Sequence, residues 1–137
     1  MRMTNREIGY INALETISGA QAKYCLVDSG EISFLVREGQ AGKAIGKQGV
    51  NIKKLRETLG KEVGVFEYAE SPEGFLRKAF RSIEIGKVEM TENEGVKTLF
   101  VTPEPTNKRK LLQNIGKMKK IRVIMKEVYG IGNVKVR

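Results

Sequence analysis

The sequence predicts a mixed α/β (α+β) fold made of two small units in tandem, each a three-stranded sheet packed on one side by three helices. Three observations carry that expectation. The order helix, strand, strand, short helix, turn, helix, strand runs through residues 4–68 and then repeats through 71–137. Glu70-Ser71-Pro72-Glu73 marks a fresh start between them: Ser71 suits an N-cap, Pro72 the first helical position and Glu73 the positive end of the helix dipole. A chain of 137 residues with 40% hydrophobic content suffices for one ordinary domain or two small ones. The units are drawn at 1–69 and 70–137.

In the first unit, Thr4 and Glu7 stand at capping-box spacing, Ile8, Ile11, Leu14 and Ile17 recur helically, and Ser18-Gly19 ends the run. Ala22 to Val27 reads as a strand, Asp28-Ser29-Gly30 as a turn, and Ile32, Phe34 and Val36 as the apolar side of a half-buried return strand. After Glu38-Gly39, a short helical piece leads into a glycine-rich turn. From Val50, Ile52, Leu55 and Leu59 share a helical face, Gly60 caps it, and Glu62 to Tyr68 forms the last strand.

The second unit opens with Phe75, Leu76, Ala79 and Phe80 on one helical face. Ile83 and Ile85 share one strand phase and Val88 and Met90 the other, which predicts a single strand bent at Gly86. Asn93-Glu94-Gly95 turns the chain into a strand from Lys97 to Thr102, closed off by Pro103 and Pro105. Leu111 and Leu112 suit a short helix, and Gln113-Asn114-Ile115-Gly116 a loop. Met118, Ile121, Met125 and Val128 then mark a longer helix from Lys117, capped by Gly130, with a final strand over Asn133 to Val136.

The stretch that carries chemistry is Gly42-Lys43-Ala44-Ile45-Gly46-Lys47-Gln48-Gly49-Val50-Asn51-Ile52-Lys53-Lys54-Leu55-Arg56. Glycines let the backbone turn sharply with only hydrogen facing a ligand, and the helix that follows begins with unpaired amides. Gln40 to Arg56 holds five basic residues and no acid. Net charge is +9, and it resides in the C-terminal part: residues 1–105 carry 15 basic and 15 acidic residues, residues 106–137 carry 10 basic and one acid, Glu127. Two basic zones of this kind point to a polyanion. A nucleotide P-loop is excluded, since Gly42 to Gly46 is one residue short and Gln48 stands where Ser or Thr must reach magnesium.

Catalysis is not expected, because there is no His, one Cys and no nucleophile–base pair. Cofactors, metals, small-molecule substrates and a membrane partner are likewise not expected; no apolar run approaches the roughly 20 residues that span a bilayer. Cys25, alone in an apolar stretch, reads as a small buried hydrophobe in a reducing compartment, and the expected location is cytoplasmic. A helix-turn-helix that reads duplex DNA is a further alternative, although a groove-reading helix needs more Arg, Asn or Gln than Asn51 and Arg56 supply.

Ile45-Gly46-Lys47-Gln48-Gly49 with Asn51-Ile52 resembles the Gly-x-x-Gly loop of the KH domain, and the element order resembles the type II form of that fold. Val36 to Leu55, followed by Val65-Phe66-Glu67-Tyr68 and preceded by Glu7-Ile8-Gly9-Tyr10-Ile11 and Ile17-Ser18-Gly19-Ala20, is similar to the NusA family. The length matches its short archaeal members rather than the bacterial factor with its added domains. The resemblance implies a single-stranded RNA-binding factor in transcription elongation, termination or antitermination, with RNA polymerase or nascent-transcript complexes as further partners. A KH protein of the ribosome or of RNA processing is the alternative.

It also implies a site. The loop clamps about four nucleotides, with the Gly49 and Val50 amides and Lys47 on phosphates, and Gln48 and Asn51 within the motif. Lys43, Lys53, Lys54 and Arg56 add charge. Ile45 and Ile52 serve either as an apolar floor for bases or as core, and Arg37 or Val36 as a rim. The second unit retains only one glycine of the motif. Asn114, Gly116, Lys117, Lys119 and Lys120 are its secondary RNA candidates, and a protein-binding adaptor is the other reading of that half.

Overall fold

A computed structural model describes residues 3–137, which form a mixed α+β fold with two three-stranded sheets. The chain divides into two compact units, the first ending at Ala69 and the second starting at Glu70. The elements of the first are α1 (Asn5–Ser18), β1 (Ala22–Asp28), β2 (Glu31–Val36), α2 (Ala41–Ile45), α3 (Val50–Leu59) and β3 (Glu62–Glu67). Those of the second are α4 (Pro72–Ala79), β4 (Lys87–Asn93), β5 (Val96–Thr102), α5 (Pro105–Gln113), α6 (Ile115–Tyr129) and β6 (Asn133–Val136).

Thr4 caps α1 by accepting the Glu7 amide at 3.3 Å. The Glu7 carboxylate accepts the Thr4 hydroxyl at 3.1 Å, so the capping pair closes through side chains. Ser29 (φ 48°) and Gly30 (φ 79°) form the two-residue turn between β1 and β2, both left-handed as a tight hairpin requires. β2 then pairs antiparallel with β1 and parallel with β3. Leu14, Ala20, Cys25, Ile32, Phe34, Val36, Ala44, Leu55 and Val63 make the core between this sheet and its helices.

β2 departs from the half-buried expectation. Ser33 and Leu35, on its other face, are buried as well. As the central strand it holds Leu35 in register between Tyr24 of β1 and Phe66 of β3, and those two rings flank it.

In the second unit Ser71 accepts the Gly74 amide at 3.0 Å, a cap worth about 1 kcal/mol. β4 and β5 join through a second left-handed turn at Glu94 (φ 52°) and Gly95 (φ 79°), and β6 lies parallel to β5. Leu99 and Val101 of β5, Val134 of β6, and Phe75, Leu76, Leu111, Met118, Ile121, Ile124 and Met125 of the helices are buried. The Phe75 and Tyr129 rings meet at 5.3 Å between centroids.

Two expectations fail here. Ile83 and Ile85 are not in a strand bent at Gly86, because β4 starts only at Lys87. Gly86 (φ 80°) ends the connection from α4, its carbonyl accepts Arg77 Nη2 at 2.7 Å, and a β-carbon on it would collide with the Thr102 carbonyl. Pro105 begins a helix instead of closing off a strand: α5 takes in Lys108-Arg109-Lys110 before reaching Leu111.

Candidate nucleic-acid interface

The glycine-rich turn is built between two anchored helices. Gly39 (φ 84°) ends the extended chain, and the Gln40 side chain accepts the Gln21 amide at 2.7 Å, tying the entry to α2 to the chain before β1. Gly46 (φ 80°, ψ 166°) stops α2, its N–H still donating to the Gly42 carbonyl at 2.8 Å. A 3₁₀ turn over Lys47–Gly49 follows, with Gln48 (φ 56°) and Gly49 (φ 76°) both left-handed, and α3 starts at Val50. Asn51 Nδ2 donates to the Lys43 carbonyl at 2.9 Å and so staples α3 to α2 across the turn.

The two motif glycines do different work. A β-carbon on Gly46 would stand 2.9 Å from the Asn51 main-chain nitrogen and equally close to its side chain. Gly46 is therefore required for packing, and its bare side faces Asn51 and not a ligand. At Gly49 nothing lies within 4 Å of the same construction, so that face of the main chain is open. The Gly49 and Val50 amides, expected to reach phosphate, already donate to the Gly46 and Lys47 carbonyls. Lys47 and Gln48 are the two residues enclosed by the Gly49-to-Gly46 bond.

Lys47 and Gln48 are exposed on the turn, and Lys53 and Lys54 are exposed on α3. Ile45 and Val50 bracket the turn with 38% and 45% of their surface in solvent, while Ile52 is half-buried. Val50 was expected to offer its amide, and its side chain is exposed as well.

Three expected members lie apart. The Lys43 side chain runs over Gly19, with Cε 3.1 Å from where a β-carbon there would stand. The last turn of α1 has no basic residue of its own, so Lys43 supplies the cation at its negative end. Arg56 Nε is 3.6 Å from Glu62 Oε1, about 10 Å along α3 from the turn. Arg37 lines a separate cleft of about 350 Å³ with Ile11, Glu15, Gln21, Ala22 and Lys23.

The second unit has no corresponding loop. Only Asn114 (φ −88°, ψ 59°) separates α5 from α6, and Gly116 is already inside α6. Gln113-Asn114-Ile115-Gly116 is thus a helix end, a single link and a helix start. Lys117 is half-buried with its ammonium 5.2 Å from the centre of the Phe80 ring, and burial lowers its pKa. Lys119 is exposed and Lys120 half-buried on the same helix.

The KH domain family profile matches residues 10–130. The chain belongs to the KH domain family. Over 137 residues this KH chain is 30% identical to the probable transcription termination protein NusA of Methanocaldococcus jannaschii, an alignment covering 99% of this chain and 75% of that one. A protein of the same name from Halococcus morrhuae is 34% identical over 95 residues, 68% of each chain. The crystal structure of APE1850 matches the KH chain with a TM-score of 0.90 and 33% identity, covering 98% of this chain and 100% of that one. These likenesses make it a NusA-like KH protein. Among the described residues, no helix is long and apolar enough to cross a membrane.

Proposed function

We propose that the chain is a pair of tandem type II KH domains, 1–69 and 70–137, that binds single-stranded RNA through the first and acts in transcription elongation, termination or antitermination. The observation that carries this reading is Gly49. It holds a left-handed turn with open space beside its main chain, between exposed Lys47 and Gln48 and the exposed aliphatics Ile45 and Val50. Backbone that can come close, cations beside it and an apolar rim suit a sugar–phosphate strand with unstacked bases. Lys53 and Lys54 extend the charge along α3. Lys43 and Arg56 contribute at longer range, since each serves a neighbour within the fold.

The family fits this reading, and relatives named as probable transcription termination proteins support a role in transcription. RNA polymerase or a nascent-transcript complex is the macromolecular partner that such a role calls for. A ribosomal or RNA-processing role is the alternative with the same RNA chemistry.

The test is fluorescence anisotropy with labelled single-stranded RNA of several base compositions. Gly49→Asp puts a carboxylate into the open space and should weaken binding about tenfold or more, that is by at least about 1.4 kcal/mol. Unlabelled duplex DNA should compete poorly. Equal competition by duplex, with Gly49→Asp binding like the parent, would return the chain to a duplex-binding reading.

A further inference from the structure

At the α5–α6 corner of the second unit two aliphatic side chains stand in solvent, Leu112 at 52% and Ile115 at 74% exposure. They flank the single linking residue Asn114, beside a depression lined by Lys110, Gln113 and Asn114. Helical spacing puts Lys108 and Arg109 on the face of Leu112 and Lys119 on the face of Ile115. From Pro105 to Lys126 there are eight basic residues and no acid. An aliphatic pair within a stretch rich in basic residues and free of acids selects on two counts at once: apolar surface to cover and negative charge to bring.

We propose that this corner docks an acidic, leucine- or isoleucine-bearing segment of a partner protein. RNA suits it less well, for two reasons on the same corner. The one-residue link and the helical Gly116 leave no left-handed turn of the kind seen at Gly49. The exposed side chains are aliphatic, and the neighbouring ring, Phe80, is 1% exposed beneath Lys117, so it offers no face to a base. The two units then divide the work, the first taking nucleic acid and the second a protein.

The experiment uses the full chain and a labelled peptide of alternating glutamate and leucine, with oligoglutamate of equal length as control. Saturable binding of the alternating peptide is expected, at least about tenfold tighter than oligoglutamate. Leu112→Ser with Ile115→Ser should remove that advantage while leaving single-stranded RNA affinity within about twofold. Lys108→Glu with Arg109→Glu should abolish peptide binding. Both aliphatics are exposed, so circular dichroism and the melting temperature should hold. No peptide binding, or equal binding of the two peptides, overturns the proposal. Loss of RNA affinity in the serine variant also overturns it and assigns the corner to RNA.

Discussion

Asn51 fills the space that a side chain on Gly46 would occupy, its main-chain nitrogen 2.9 Å from the missing β-carbon. Gly46 also sits at φ 80°, ψ 166°, a region open essentially to glycine. Gly46→Ala should therefore cost about 1–3 kcal/mol of stability, read in urea denaturation. Gly49→Asp meets no neighbour and adopts a left-handed conformation that Asp tolerates, so its cost should be about 1 kcal/mol. The outcome to look for is a split: the first variant loses stability, the second loses RNA.

The Asn51 side chain holds the turn from the other direction through its bond to the Lys43 carbonyl. Asn51→Ala removes that donor, worth about 0.5–1.5 kcal/mol. RNA affinity should fall about two- to tenfold, with the circular dichroism spectrum unchanged. Asn51→Asp, which sets a carboxylate against the same carbonyl, should fall further.

Salt titrations should separate the lysines by location. Replacing Lys47, Lys53 and Lys54 together with Ala should flatten the dependence of log affinity on log salt by about 0.7 per lost phosphate contact. Lys43→Ala and Arg56→Ala should each change the slope less, because Lys43 lies over the end of α1 and Arg56 faces Glu62. Equal slopes for all three variants would contradict this assignment.

Cys25 is 1% exposed, and burial, with Glu7 adding to it and Arg6 opposing, pushes its thiol up from 9.0 to about 12. A raised thiol pKa leaves stability untouched below the unfolded value, where both states are protonated. Above about pH 9 the unfolded chain ionises first, and stability should decline toward pH 12 by up to about 1.4 kcal/mol per pH unit. Cys25→Ala should lack that component of the decline, as measured by denaturation at several pH values. In the native protein at pH 8 the thiol should resist iodoacetamide.

Gly86→Ala should damage the second unit. The added carbon meets the Thr102 carbonyl, and Arg77 holds the Gly86 carbonyl at 2.7 Å, so the chain cannot easily move aside. A loss above about 2 kcal/mol is expected in thermal or urea unfolding.

The first unit was legible in sequence because its signals are local. Thr4, Gly60 and the run of basic residues between glycines act through their own neighbours in the chain. What could not be read there depends on partners brought from afar. Gly46 and Gly49 look alike in a motif, and only the position of Asn51 tells them apart. Lys43 looks like a phosphate ligand until Gly19 is seen beneath it, and Arg56 until Glu62 is found opposite.

In the second unit local cues misled beyond the phase change at Gly86. Pro105 is as good a helix start as it is a strand stop. Gly116 looked like the remnant of a loop, but glycine is also tolerated inside a helix at modest cost. The exposure of Leu112 and Ile115 had no sequence signal, since periodicity marks which residues share a face and not which face is covered.

The parallel pairing of β2 with β3 makes residues 37–61 a crossover, with the glycine turn near its middle. Closing a span of that length costs an entropy of about 3 kcal/mol, recovered only when β3 zips onto the sheet. Pairing of β3 with the sheet should therefore steady the turn as well. A nascent chain that has emerged only as far as Leu59 carries Lys47, Lys53 and Lys54 but lacks β3, and is expected to hold RNA less well than the closed unit.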